Sequence, residues 1–159
     1  MMLTTKGRYA VMALVDLASN SNGKPVTLAD IATRQGIALA YLEQIFSRLK
    51  KEGLVKSLRG PGGGYIFARP SEQTMISDII MAVDEPIKMT RCNNKAAGCM
   101  KDKVRCKTHD LWEGLGNQIY SYLRAISVND VMNRKVDSVK NVAGIQAKGI
   151  EQSIFTSCE

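Results

Sequence analysis

The sequence has no apolar run long enough for a transmembrane helix. A membrane span needs about 18 uninterrupted apolar residues, and no stretch of this 159-residue chain approaches that length. A secretory signal is not expected either, because the apolar stretch after Lys6 and Arg8 is interrupted by Asp16 and has no convincing cleavage site. These absences predict a cytoplasmic protein that does not enter a membrane.

Cysteine and histidine are scarce, with four cysteines and one histidine in the chain. In the reducing cytoplasm, so few cysteines are more plausible as metal ligands or redox groups than as disulfide partners. Hydrophobic residues make up 45% and charged residues 23% of the sequence, which argues against wholesale disorder. The length predicts one compact unit with an appended element.

Acidic residues are scarce in the N-terminal half. Residues 1–70 contain ten Lys and Arg but only four Asp and Glu, a net charge of +6, whereas the rest of the chain is nearly neutral at +1. DNA is a polyanion, and binding to its phosphates requires a concentration of cations. A basic surface exposed only to solvent would show the same excess, so charge alone leaves both interpretations open.

Hydrophobic spacing predicts three helices at the N-terminus. The first begins near Thr4 or Thr5, the second is capped by Thr27 and ends at Gly36, and the third follows almost at once. Two short helices joined by a glycine-containing turn are typical of a helix-turn-helix. The apolar stripe of the third helix consists of Leu42, Ile45, Phe46 and Leu49. Its other face is polar and can meet a partner outside the protein.

A glycine-rich hairpin is predicted after these helices. Residues 54–59 and 65–68 have the composition of strands, and four glycines lie between them at positions 60–64. These glycines do not indicate a phosphate-binding loop, because no Lys-Ser/Thr pair and no helix follow them. We therefore predict a wing whose tip brings the backbone and Arg59 close to a partner. A short fourth helix is predicted to begin at Ser77 and to end before Pro86.

A long helix is predicted to begin at Thr108. Its apolar seam, with residues three or four positions apart, consists of Trp112, Leu115, Ile119, Tyr122 and Ile126. The seam predicts a dimer interface, although packing within one monomer would give the same pattern and Gly114 and Gly116 weaken a coiled coil. Ser127 is predicted to start one more short helix. Residues 136–159 have no pattern and are predicted to form a disordered tail.

Three cysteines and the only histidine form a C-x6-C-x6-C-x2-H pattern. They are Cys92, Cys99, Cys106 and His109. The last two stand nearly one helical turn apart, so both side chains can address one metal centre. Three thiolates and one imidazole suit either Zn²⁺ or a [2Fe-2S] cluster. The alternative is three reduced, buried cysteines beside a histidine at a helix start, and Cys158 is expected to be a free thiol.

Three segments together resemble one known family. The segments MMLTTKGRYAVMALVDLA and ALAYLEQIFSRLKKEGLVKSLRGPGGGYIFAR, with the Cys-Cys-Cys-His stretch, are similar to IscR-type iron–sulfur cluster-responsive winged-helix regulators over residues 1 to about 130. The resemblance implies a dimeric repressor or activator that binds operator DNA and controls genes of iron–sulfur cluster biogenesis. It also implies that the three cysteines and His109 hold a [2Fe-2S] cluster, supplied by a cluster-assembly scaffold, whose occupancy changes which promoters are bound.

The same resemblance places DNA contacts on the third helix and the wing. Chemistry supports this placement, because Gln pairs with adenine, Glu accepts from cytosine and Arg enters a narrow minor groove. Basic residues near the first helix are expected to contact phosphates. The side chains expected to contact DNA are Tyr41, Glu43, Gln44, Arg48, Arg59, Lys6 and Arg8.

The complete prediction is a mostly α-helical winged helix-turn-helix with a small β-hairpin wing and a long dimerisation helix. Residues 1–85 would form the DNA-binding domain, 86–109 the cluster-binding loop, 110–135 the dimerisation helix with the short helix after it, and 136–159 the tail. No catalytic site is expected. The open alternatives are a nitric-oxide or redox-sensing regulator with a different cluster, and a zinc-site protein, including a metal enzyme such as a zinc hydrolase.

Overall fold

The computed structural model describes residues 4–83 and 106–136. Within these ranges the chain is mostly helical and has one antiparallel β-hairpin, as predicted. A 3-10 helix at Ser71–Gln73 follows the hairpin. The α-helices and strands, in chain order, are α1 (Thr5–Asn20), α2 (Leu28–Gln35), α3 (Leu39–Lys51), β1 (Val55–Leu58), β2 (Gly64–Phe67), α4 (Ile76–Ala82), α5 (His109–Arg124) and α6 (Val128–Met132).

The hydrophobic core is built around α1, which contacts α2, α3, α4 and α6. Its inward face is formed by Ala10, Ala13, Leu14 and Leu17, which are spaced as one side of a helix and are fully buried. The predicted stripe of α3 is confirmed, because all four of its residues are buried. Among them, the Phe46 ring contacts the edge of the Tyr65 ring with centroids 4.9 Å apart, which joins α3 to the wing.

Local capping chemistry forms the helix-turn-helix. The backbone N–H of Asp30 donates to the Thr27 hydroxyl oxygen at 3.1 Å, so Thr27 caps α2 as predicted. Gly36 ends the helix at a φ of 64°, and its N–H donates to the Ala32 carbonyl. That left-handed conformation suits glycine because a side chain would be strained there. Helix α3 begins three residues later.

A buried carboxylate fastens α2 to α1. Arg34 donates to Asp16 from Nε at 3.0 and 3.1 Å and from a terminal nitrogen at 2.6 Å, and Gln35 donates to the same carboxylate at 2.7 Å. Burial raises the pKa of Asp16, but the hydrogen bonds from Arg34 and Gln35 and the charge of Arg34 outweigh it, so the pKa lies below its ordinary value. The first helix is thereby held against the helix-turn-helix.

The wing is attached to the segment that precedes α2. Strands β1 and β2 pair in register from Val55 opposite Phe67 to Leu58 opposite Gly64. Tyr65 also exchanges two backbone hydrogen bonds with Val26, at 2.8 and 3.0 Å. A Cβ at Gly64 would lie 2.5 Å from the Val26 carbonyl oxygen, so this close approach requires glycine. The predicted wing is therefore present and is hydrogen-bonded to the segment before α2.

The chain after α5 returns to the hydrophobic core formed around α1. The Ile76 N–H donates to the Ile126 carbonyl and the Val128 N–H donates to the Thr74 carbonyl, both at 2.9 Å. Ile126 and Val128 are buried with the core. The placement of Ile126 on the seam of the long helix was therefore wrong, because α5 ends at Arg124 and Ile126 is buried in the core.

Helix boundaries at α4 and α6 differ in how well local sequence predicts them. The predicted start of α6 is confirmed, since Ser127 and Asp130 form a reciprocal capping box. The predicted start of α4 at Ser77 was wrong, because Met75 occupies the cap position and Ser77 lies buried inside the helix.

No helix in the described ranges combines the length and hydrophobicity that a membrane span requires.

Candidate nucleic-acid interface and metal centre

The outward face of α3 carries the side chains predicted to read bases. Glu43 and Gln44 are exposed next to one another, and the buried stripe on the opposite side fixes how the helix is rotated. Tyr41 is half-buried, and its ring contacts the edge of the Tyr9 ring with centroids 6.0 Å apart. Tyr41 therefore also packs α3 against α1.

Basic residues cluster at the last turn of α3. Arg48 is half-buried there, while Lys50 and Lys51 are exposed. The Lys50 ammonium group donates to the Ser57 hydroxyl at 2.7 Å, which connects the end of α3 to the first strand of the wing. Sequence reasoning missed this contact, because nothing in the sequence pairs two residues seven positions apart across a helix end. Cations near a helix C-terminus also interact favourably with its dipole.

The other predicted cations lie on two separate elements. Arg59 is exposed directly after β1, at the start of the hairpin tip. Arg8 is exposed and Lys6 is half-buried in the first two turns of α1. The structure thus presents positive side chains on α1, α3 and the wing, which are the parts that a winged helix-turn-helix can bring to a duplex.

Cys106 and His109 lie together at the start of α5. The backbone N–H of His109 donates to the backbone carbonyl of Cys106 at 3.0 Å, and the Cys106 Sγ atom is 3.6 Å from the Thr108 hydroxyl. His109 is the first residue of the helix and is only 7% exposed, while Cys106 is half-buried. Cys92 and Cys99, the other two predicted ligands, lie outside the described residues.

Two carboxylates lie beside the histidine. The His109 Nε2 atom is 3.8 Å from a carboxylate oxygen of Glu113, one turn further along α5. One donor atom from each of His109, Asp110 and Glu113 lies within 4.8 Å of the others. Sequence reasoning missed Glu113, although its i+4 spacing from the predicted ligand is the signal that would have found it.

The described donors fit the predicted cofactor chemically. Thiolate sulfur and imidazole nitrogen are ligands of iron–sulfur clusters and also of Zn²⁺. Cys106 and His109 supply one of each, and the backbone hydrogen bond between them holds the two residues next to one another at the start of α5. This pair alone does not distinguish the two metals.

The first half of α5 exposes an apolar surface. Leu111, Trp112 and Leu115 are 63%, 43% and 41% exposed, and their spacing places them on one side of the helix. The helix runs unbroken through Gly114 and Gly116, the two glycines expected to weaken a coiled coil. The second half differs, because Tyr122 packs against the hydrophobic core.

Comparison with known proteins gives a consistent result. The family model described as Rrf2, an iron-dependent transcriptional regulator, matches residues 3–134. The HTH-type transcriptional regulator IscR of Photorhabdus laumondii is 49% identical over 146 residues, which are 92% of this chain and 87% of that protein. IscR of Escherichia coli is 47% identical over 92% of this chain and 88% of its own. The solved structure of T. potens IscR has a TM-score of 0.69 at 34% identity and covers 94% of each chain.

Proposed function

Since the chain belongs to the Rrf2 family of iron-dependent transcriptional regulators, we propose that it couples the choice of DNA sites to the occupancy of a [2Fe-2S] cluster. Its relatives are named as transcriptional regulators and not as enzymes, and the chain is a DNA-binding regulator of the same kind. The proposal adds the cofactor, its ligands, the side chains that contact DNA and the oligomeric state.

The proposed DNA interface consists of α3, the wing and the first turns of α1. Glu43 and Gln44 enter the major groove, where they meet base edges that distinguish the base pairs. Arg59 reaches the minor groove from the hairpin tip. Other contacts bind phosphates and set the position of the protein without reading sequence, and they come from Tyr41, Arg48, Lys6 and Arg8.

The proposed cluster ligands are Cys92, Cys99, Cys106 and His109. One observation carries this proposal: the only histidine of the chain is buried at the first residue of α5, and its backbone N–H donates to the carbonyl of Cys106, three residues earlier. When bound, the cluster supplies iron–sulfur chemistry at this site. The fraction of protein that carries a cluster would depend on how well the cell assembles such clusters. In this arrangement an assembly scaffold in the cytoplasm transfers the cluster to the protein.

The proposed route from cluster to DNA follows α5. The ligands lie at its start, and its end is joined to the start of α4 by the backbone hydrogen bonds of Ile126 and Val128. The 16 residues of α5 span about 24 Å. A change at the ligands that moves or reorients this helix is therefore transmitted to the core that holds the helix-turn-helix.

The proposed oligomer is a homodimer formed through α5. Leu111, Trp112 and Leu115 would pack against the same residues of a second copy, which removes their apolar surface from water. A two-fold axis along this contact would present two recognition helices and two wings to an approximately palindromic operator. In this arrangement residues 1–85 bind DNA, 86–109 hold the cluster and 110–135 join the copies.

Anaerobic purification tests the cofactor directly. We expect a coloured protein with an iron–sulfur absorption spectrum and equal amounts of iron and acid-labile sulfide. Cys106→Ala should lose the colour and keep the folded dimer, because Cys106 is half-buried outside the core. Colourless wild-type protein with stoichiometric zinc would show the zinc-site alternative to be correct. A cluster of another type would favour the nitric-oxide or redox sensor.

A further inference from the structure

Glu113 lies beside the Nε2 ring nitrogen of His109. The Nε2 atom lies 3.8 Å from the Glu113 carboxylate, four residues along the same helix. His109 is buried, and the Glu113 side chain is 36% exposed. A carboxylate held beside one edge of a buried imidazole limits how that ring can rotate.

An imidazole that binds a metal uses one nitrogen and carries a proton on the other. That N–H group is almost always directed to a carboxylate, a backbone carbonyl or water, which fixes the tautomer and makes the ligand nitrogen more electron-rich. We propose that Glu113 is the positioning residue for His109, an inference that rests on the cluster site of the proposed function. Its carboxylate accepts the Nε2–H group, and His109 therefore binds the cluster through Nδ1.

The position of Asp110 makes it the competing acceptor. Its carboxylate belongs to the same group of donor atoms within 4.8 Å, but its side chain is exposed whereas that of Glu113 is half-buried. Water competes more strongly for an exposed acceptor. Glu113 also stands at i+4, the position that stacks directly above His109 on the helix surface. These two observations favour Glu113.

Variants of the two carboxylates test the assignment in the full-length, cluster-loaded protein. We expect Glu113→Ala to lose its cluster to a chelator about 10-fold faster or more, as is usual when an outer partner of a ligand is removed. The reduction potential should rise, because a less electron-rich imidazole stabilises the oxidised cluster less. Glu113→Gln keeps a neutral acceptor and should lie between wild type and Glu113→Ala. Asp110→Asn and the distant charge control Glu72→Gln should match wild type.

The ring nitrogen can be identified because the chain has a single histidine. In untagged protein labelled with ¹⁵Nδ1-histidine, the reduced cluster should show the strong hyperfine coupling of a directly bonded nitrogen. Strong coupling from ¹⁵Nε2-histidine instead would overturn the proposal. So would equal cluster loss and equal potential in Glu113→Ala and wild type, or an effect confined to Asp110→Asn. If wild type binds no cluster at all, it is the proposed function that fails.

Discussion

Removing the Asp16 carboxylate should destabilise the protein by about 2.5 to 4 kcal/mol. Hydrogen bonds to a charged group contribute about 1.5 to 3 kcal/mol each when buried. Gln35 donates one such bond, whereas Arg34 has a 37% exposed side chain, so solvent screening reduces its contribution to about 1 kcal/mol. Asp16→Ala removes both contributions and leaves the Gln35 amide without its acceptor.

Urea unfolding at pH 7 and fixed protein concentration measures this loss. The surface variant Glu72→Ala serves as the control and should remain within about 0.5 kcal/mol of wild type. In a double-mutant cycle, Asp16→Ala and Arg34→Ala should show a coupling energy of about 1 kcal/mol. If Asp16→Ala also unfolds like wild type, the buried carboxylate does not hold α2 against α1 and our reasoning is refuted.

The same carboxylate should make stability depend on pH. Because the pKa of Asp16 is lower in the folded protein than its ordinary value of 3.8, the contribution of Asp16 is fully present above about pH 4. It is lost as the pH falls through the lowered pKa. The difference in unfolding free energy between wild type and Asp16→Ala should therefore shrink as the pH is lowered below about 4, and a constant difference would contradict the assigned contacts.

Three further predictions concern DNA binding, the wing and the dimer. Gln44→Ala should reduce discrimination at particular base pairs by about 1 to 3 kcal/mol and preserve the salt dependence, whereas Arg59→Ala should lower the slope of log K against log[salt] by about one. Salt-dependent binding to a selected operator measures both, and unchanged preference together with an unchanged slope would mean that the DNA face is misplaced. Gly64→Ala should weaken operator binding and lower the melting temperature, because its Cβ would meet the Val26 carbonyl; wild-type values would disprove the tight contact. Trp112→Ala should raise the dimer dissociation constant by 10-fold or more, since truncating a buried aromatic interface residue typically costs about 2 kcal/mol, and ultracentrifugation showing an unchanged dimer would exclude this surface.

Features encoded by a few neighbouring residues were predictable from the sequence. The Thr27 cap, the turn at Gly36 and the capping box at Ser127 each depend on contacts within four residues. The sequence also predicts that Cys106 and His109 lie together, because two residues between them correspond to nearly one helical turn. Such local rules need no knowledge of the tertiary structure.

Features that depend on distant contacts were not predictable. Ile126 continues the apolar spacing of α5, but its carbonyl accepts from Ile76, 50 positions earlier, and this pairing buries it in the core. Ser77 is a good capping residue by type, yet the cap position of α4 is Met75, two residues earlier, and the N–H of the next residue, Ile76, donates to the distant Ile126. The hydrogen bonds between Asp16 and Arg34 join different helices, and no local pattern indicates them.

The central claim is that cluster occupancy changes which DNA sites are bound. The most direct measurement selects binding sites from a random DNA pool under anaerobic conditions, with cluster-loaded wild type and with the cluster-free Cys106→Ala variant. The proposal predicts two distinguishable sets of preferred sequences, with at least one set bound well only by the loaded protein. Identical sequence preferences and affinities for the two proteins would contradict it.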